Sequence, residues 1–117
     1  MATIKSYTDL EQSHKLAEIL PLGSADMWWA WYSSPLSEAH YGDSPMFYKP
    51  ICNPNESVPC WSLASLLDVL PEKYTELIKE GGMYRIIIKD SYITCLFDNP
   101  IDACVAMIER LHELNLL

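Results

Sequence analysis

The segment Asn99–Leu114 constrains the fold more than any other part of the chain. Asn99 is a helix N-cap residue. Pro100 presets a first helical position whose N–H would go unpaired in any case, and Asp102 lies where the positive end of a helix favours a carboxylate. Behind that start Ile101, Cys104, Val105, Ile108 and Leu111 recur at three- and four-residue spacings and form one apolar stripe. A helix of this length is marginal alone in water, so its stripe must be covered by other elements. Two further segments carry the same kind of signal. Thr8 and Glu11 have the spacing of a capping box, followed by Leu10, Leu16, Ala17 and Leu20 on one side, with Pro21 and Gly23 ending the run. Leu63, Leu66, Leu67 and Leu70 repeat as i, i+3, i+4, i+7, which predicts a helix over Cys60–Leu70 with Ser57 as cap, Pro59 in the first turn and Pro71 as stop.

Between the helices lie runs of strand character. Met27–Tyr32 is aromatic-rich and reads as a strand, as does the shorter Met46–Lys49, and a long polar loop, Ser33–Ser44, joins the two as a hairpin. Pro50–Pro59 reads as a loop. Met83–Lys89 and Tyr92–Asp98 form a second hairpin about a Lys89-Asp90-Ser91 turn, with Ile86 and Ile88 on one face. Glu72–Glu80 is read as a short helical piece broken by Gly81-Gly82. The order α-β-β-α-β-β-α over 117 residues predicts a single α+β domain, 1–117. Its expected form is a two-layer sandwich, with an antiparallel sheet of about four strands and the helices on one face.

Composition narrows the function classes. Sixteen acidic residues oppose eight basic ones, a net charge of −8, and this argues against direct binding to nucleic acid or to an anionic membrane. The excess is spread evenly, with seven acids and three bases in residues 1–58 and nine and five in 59–117, so no acidic stripe of the kind a DNA mimic needs is visible. No apolar run approaches the roughly 20 residues of a membrane-spanning helix, and Met1–Asp9 lacks a secretory pattern, so the expected location is the cytoplasm. Cys52, Cys60, Cys95 and Cys104 form no CxxC pair and read as reduced thiols, most of them buried. His14, His40 and His112 are scattered, so neither a metal nor another cofactor is expected.

Two segments resemble a known group. Pro59-Cys60-Trp61-Ser62-Leu63-Ala64-Ser65-Leu66-Leu67-Asp68-Val69-Leu70-Pro71 is similar to a PCWSLAALLEVLP stretch, and Asn99-Pro100-Ile101-Asp102-Ala103-Cys104, with Met107-Ile108 and Leu111-His112-Glu113-Leu114, looks like the C-terminal signature of the same group. Glu18-Ile19-Leu20-Pro21-Leu22 and Ser24-Ala25-Asp26-Met27 are similar as well. The group consists of small hypothetical proteins of gut Bacteroides relatives and their phages or mobile elements. The resemblance covers somewhat under half the chain. It implies bacterial or phage origin and a shared fold, and it brings no catalytic residue with it.

The sharpest functional hint is the aromatic strand. Strand alternation sends Trp28, Ala30 and Tyr32 one way and Met27, Trp29 and Trp31 the other, so one set of rings is left to meet a partner, a covering loop or a second copy. With His40 and Tyr41 in the neighbouring loop, Trp28, Trp29, Trp31 and Tyr32 are the expected binding residues. A homodimer would bury Trp29 and Trp31. His40 and Asp43 alone make a weak acid–base pair, Ser62 and Ser65 lack a nucleophile elbow, and Gly81-Gly82 lacks the lysine of a phosphate loop. The expected function is therefore a noncatalytic accessory or protein-interaction module. An acidic inhibitor of a host enzyme or nucleic-acid-binding protein is the alternative, and a small enzyme ranks last.

Overall fold

A computed structural model describes residues 5–34, 37–47, 57–71, 75–89 and 92–117, apart from the side chains of 32–34 and 37–39. The chain is α+β, as the sequence predicts. Among the described residues three helices, α1 (Leu10–Ile19), α2 (Leu63–Val69) and α3 (Pro100–Glu113), combine with seven short strands. These are β1 (Met27–Trp29), β2 (Trp31–Ser34), β3 (Ser37–Tyr41), β4 (Val58–Cys60), β5 (Thr75–Glu80), β6 (Met83–Ile88) and β7 (Tyr92–Ile93). They form not one sheet of four but three antiparallel ladders, β1–β4, β2–β3 and β5–β6–β7.

The third helix follows its sequence signals closely. Asn99 accepts from the Asp102 amide at 2.8 Å, Pro100 opens the helix, and Ile101, Cys104, Val105, Ile108 and Leu111 are all buried together with Ala103 and Met107. It ends where Asn115 turns left-handed (φ 58°), letting Leu116 donate to the Leu111 carbonyl and Asn115 to that of His112. This stripe, Leu16 and Leu20 of α1, Trp61, Leu66 and Leu70 around α2, and Ile86 and Ile88 of β6 make the main core, with Leu63 and Leu67 packed at its margin. Each fully buried aliphatic side chain contributes about 1.5–3 kcal/mol.

Elsewhere the element boundaries differ from expectation, and each difference has a local cause. The box that caps α1 is Asp9 with Gln12, one residue on from Thr8 and Glu11, because the Thr8 hydroxyl is committed to the interior. The second helix starts at Leu63 under a Ser62 cap, and Val58–Cys60 is instead a strand pairing Met27↔Cys60, Trp28↔Pro59 and Trp29↔Val58. Proline fits there because the Trp28 N–H and C=O point away from it, exchanging 2.7 Å bonds with Met46. That bridge is what remains of the predicted Met46–Lys49 strand among the described residues, and Tyr48 and Lys49 lie outside them.

Residues 75–80, read as helical, form β5 and pair with β6 from Thr75↔Ile88 to Glu80↔Met83. Gly81 (φ 60°) and Gly82 (φ 79°) supply the two left-handed positions of a type I′ turn, so they join two strands instead of ending a helix. The following hairpin is present but short, with Ile88↔Tyr92 and Ile87↔Ile93 paired and Tyr84 bridging Phe97, while Asp90 and Ser91 lie outside the described residues.

A second, smaller core of Met27, Trp29, Val58 and Cys60 lies under Tyr7, Leu10 and Tyr41. Buried polar groups border it. The Trp29 indole donates to Ser13 Oγ at 3.2 Å, Ser13 and Thr8 hydroxyls meet at 2.8 Å, and the Trp61 amide reaches Thr8 Oγ1 at 3.1 Å. Thr8 Oγ1 reaches Cys60 Sγ at 3.5 Å, and Cys60 Sγ reaches the Thr8 carbonyl at 3.4 Å. All five contacts are satisfied together when protons run from Trp29 to Ser13 to Thr8 to Cys60 to that carbonyl.

Candidate functional site

Trp31 and Tyr41 stand directly opposite one another in the β2–β3 ladder, followed by Tyr32 opposite His40. Opposed residues share a face, so the two rings meet edge to face with centroids 4.7 Å apart. His14, projecting from α1, also meets the Tyr41 ring, at 6.2 Å, in a second edge contact. These three rings, with Ala17, Ser57 and Val58, line an open cleft of about 430 Å³. The arrangement offers ring faces and edges to an apolar group.

The cleft exists because the aromatic run is not one strand. It breaks at Ala30, whose carbonyl accepts from the Gly42 amide at 3.1 Å and whose side chain is buried. The break places Trp29 and Trp31 in different ladders, where an unbroken strand would have aligned them. Trp29, expected at a binding surface, is an interior residue with 6% of its surface exposed and its indole N–H engaged by Ser13. Its burial is internal to the chain and needs no second copy. Trp28 is half-buried at the backbone bridge to Met46 and does not line the cleft. His40 is exposed and belongs to strand β3, not to a loop. Tyr32 takes its place in β2, and its side chain lies outside the description. Of the six expected residues, Trp31 and Tyr41 therefore come together at the cleft.

His14 was missed as a site residue, although a signal for it existed. It stands four residues after Leu10 and three before Ala17, on the stripe those residues define.

Two polar clusters brace the frame around this surface. Lys5 bridges Asp9 and Asp102, each at 2.9 Å, and Asp102 also accepts from Gln12 at 2.7 Å and Asn99 at 2.8 Å, so the starts of α1 and α3 are tied together. Partial burial works to raise the Asp102 carboxyl, but the bonds from Lys5, Asn99 and Gln12 outweigh it and hold the group below its ordinary value. Asp26 is likewise opposed by burial, yet the side chain and amide of Ser62 hold it low. Asp26 accepts from the Ser62 amide at 2.9 Å and from its hydroxyl, and Ser24 accepts from the Trp61 indole at 3.0 Å.

Burial pushes the Cys60 thiol up and the Cys104 thiol up to about 12, so both are neutral and poorly nucleophilic at pH 7. Cys95 is exposed, in contrast to the core position expected of most of the cysteines, and Cys52 lies outside the described residues. Among the described residues no three His, Cys, Asp or Glu side chains are grouped to hold a metal, and no helix is long and apolar enough to cross a membrane. Comparison with protein-family models, with curated proteins and with solved structures returned no match.

Proposed function

We propose that the chain is a noncatalytic interaction module of bacterial or phage origin, working in the cytoplasm, whose Trp31–Tyr41–His14 cleft receives an apolar or aromatic side chain of a protein partner. The observation that carries this is the set of edge-packed rings at an open surface, held by a strand ladder on one side and a capped helix on the other. Aromatic rings with few rotatable bonds give contact area at low entropic cost, which suits binding more than chemistry. The neutral, buried Cys60 and Cys104 support the noncatalytic part, and the net charge of −8 favours a partner with a basic surface.

The test is a ¹⁵N NMR titration with small probes of the expected side chains, namely indole, p-cresol and N-acetylprolinamide. Saturable shifts at the Trp31 indole N–H and around His14 and Tyr41 are expected. They should disappear in Trp31→Ala, which keeps its fold because the ring is only half-buried. Shifts scattered over the surface, or equal binding to Trp31→Ala, refute the proposal. Line broadening at these rings that grows with protein concentration alone would point to a second copy instead.

A further inference from the structure

The register of β5 fixes which of its backbone groups are used. Glu80 and Met83 flank the two-glycine turn and form its hydrogen-bonded pair, so Ile78↔Arg85 and Glu76↔Ile87 are bonded pairs too. The alternate positions of β6 confirm the count. Tyr84 exchanges bonds with Phe97, and Ile86 bonds Thr94, on the side away from β5. By the same alternation the N–H and C=O groups of Thr75, Leu77 and Lys79 face outward from β5, which is the edge of its sheet. No strand among the described residues pairs with them.

Beside this edge runs a groove of about 790 Å³ between β5 and α2, floored by Leu67, Leu70, Pro71 and Leu77, with Asp68 and Thr75 on its walls. Outward donors and acceptors recurring about every 6.8 Å along a strand match one kind of backbone, another extended strand. An apolar groove beside them accepts every second side chain of that strand.

The geometry points to β5 and the α2 groove as a docking site for an extended segment of a partner protein, one that alternates apolar with basic side chains. The apolar side chains enter between Leu67, Leu70 and Leu77. The basic ones, which strand alternation sends to the opposite face of the sheet, lie beside Glu76, which is exposed and has no ion-pair partner among the described residues. The charge of the whole chain acts in the same direction. A second copy fits less well, since both copies carry −8, and the exposed Lys79 is the kind of residue that keeps an edge from pairing with itself. This surface is separate from the aromatic cleft, with which it shares no lining residue.

The experiment titrates ¹⁵N-labelled protein with a blocked hexapeptide of alternating valine and lysine, and with its valine–glutamate counterpart. Binding should shift the Thr75, Leu77 and Lys79 amides and slow their hydrogen exchange, leaving Glu76 and Ile78 little changed in exchange. The lysine peptide should bind at least about tenfold tighter than the glutamate one, and Glu76→Lys should remove that preference. Lys79→Pro deletes one outward N–H and should abolish binding while the Tyr84–Phe97 bridge stays protected, and Lys79→Ala should bind normally. The proposal is overturned by no saturable shift up to about 2 mM, by shifts at His14, Trp31 and Tyr41 instead, or by equal affinity for both peptides. Collapse of the sheet in Lys79→Pro overturns the register on which it stands. Protection of the same amides with rising protein concentration and no peptide assigns the edge to a second copy and overturns the choice of partner.

Discussion

Replacing Ser13 by alanine should destabilise the protein far more than the loss of one small hydroxyl suggests. Ser13 is fully buried within α1, where its oxygen accepts from the Trp29 indole and its proton goes to Thr8. In Ser13→Ala the Trp29 N–H has no acceptor in an interior with 6% exposure, a desolvation cost of about 1–3 kcal/mol. Thr8 Oγ1 keeps the Trp61 amide, so its loss is that of one ordinary hydrogen bond, about 1 kcal/mol. Alanine returns about 0.5 kcal/mol through better helix propensity. The net expectation is about 2.5 kcal/mol, a fall in Tm of about 10 °C for a domain of this size. Lys15→Ala on the same helix is the control, because that side chain is exposed and makes a long surface ion pair to Glu11 at 3.7 Å, and it should change stability by less than about 0.5 kcal/mol. Urea unfolding followed by far-UV circular dichroism measures each variant. Trp29→Phe removes the orphaned donor, so the double variant Ser13→Ala/Trp29→Phe should be more stable than the sum of the single losses by at least about 1 kcal/mol. A loss below about 0.5 kcal/mol in Ser13→Ala, or strict additivity with Trp29→Phe, would refute the buried proton chain.

Four further outcomes follow from the same structure. Asp102 sits below its ordinary value of 3.8, so its contribution is present above that pH and is lost as pH falls through its folded value; the urea midpoint should drop less on acidification in Asp102→Asn than in the parent, and parallel curves would refute this. The contribution of Lys5 has the opposite sense. Burial tends to lower it, but the bonds to Asp102 and Asp9 raise it above 10.5, so the clamp stays charged through neutral pH and is lost only as pH rises through that higher value. Brief alkylation of the native protein, read by mass spectrometry, should label Cys95 and leave Cys60 and Cys104 protected until unfolding; comparable labelling of Cys104 would contradict its burial. At the type I′ turn Gly81→Asn should be tolerated within about 0.5 kcal/mol, whereas Gly82→Ala at φ 79° should cost about 1 kcal/mol by thermal denaturation, although a Cβ there meets no atom.

What could be read from the sequence was what is decided locally. The third helix was legible from cap to stripe because Asn99, Pro100 and the apolar spacing all act within one or two turns. Its neighbours were less so. Thr8-x-x-Glu11 and Asp9-x-x-Gln12 are overlapping frames of one capping signal, and only the burial of Thr8 chooses between them. Pro59 suits a helix's first turn as well as it suits the strand position opposite Trp28, and the bridge to distant Met46 decides. Thr75–Glu80 contains good helix formers, and its pairing with β6 overrides that propensity. At the cleft, Trp31 and Tyr41 could be named as candidates, but their meeting depends on the break at Ala30, where a buried backbone contact to Gly42 replaces continuation of the strand.

The segments Ser24–Met27, Pro59–Pro71 and Asn99–Leu114 are joints of the frame. Ser24 and Asp26 hold the indole of Trp61 and both polar groups of Ser62, Met27 lies opposite Cys60, and Asn99 with Asp102 anchors Lys5 and Gln12. Substitutions in these segments act first on packing and on the starts of α2 and α3. His14, Trp31 and Tyr41 of the cleft lie outside those segments, whereas the groove beside the sheet edge takes Leu67, Leu70 and Pro71 from one of them and Thr75 and Leu77 from β5. Chains sharing the joints would therefore share the frame and the α2 side of the groove, while remaining free to differ in the rings of the cleft.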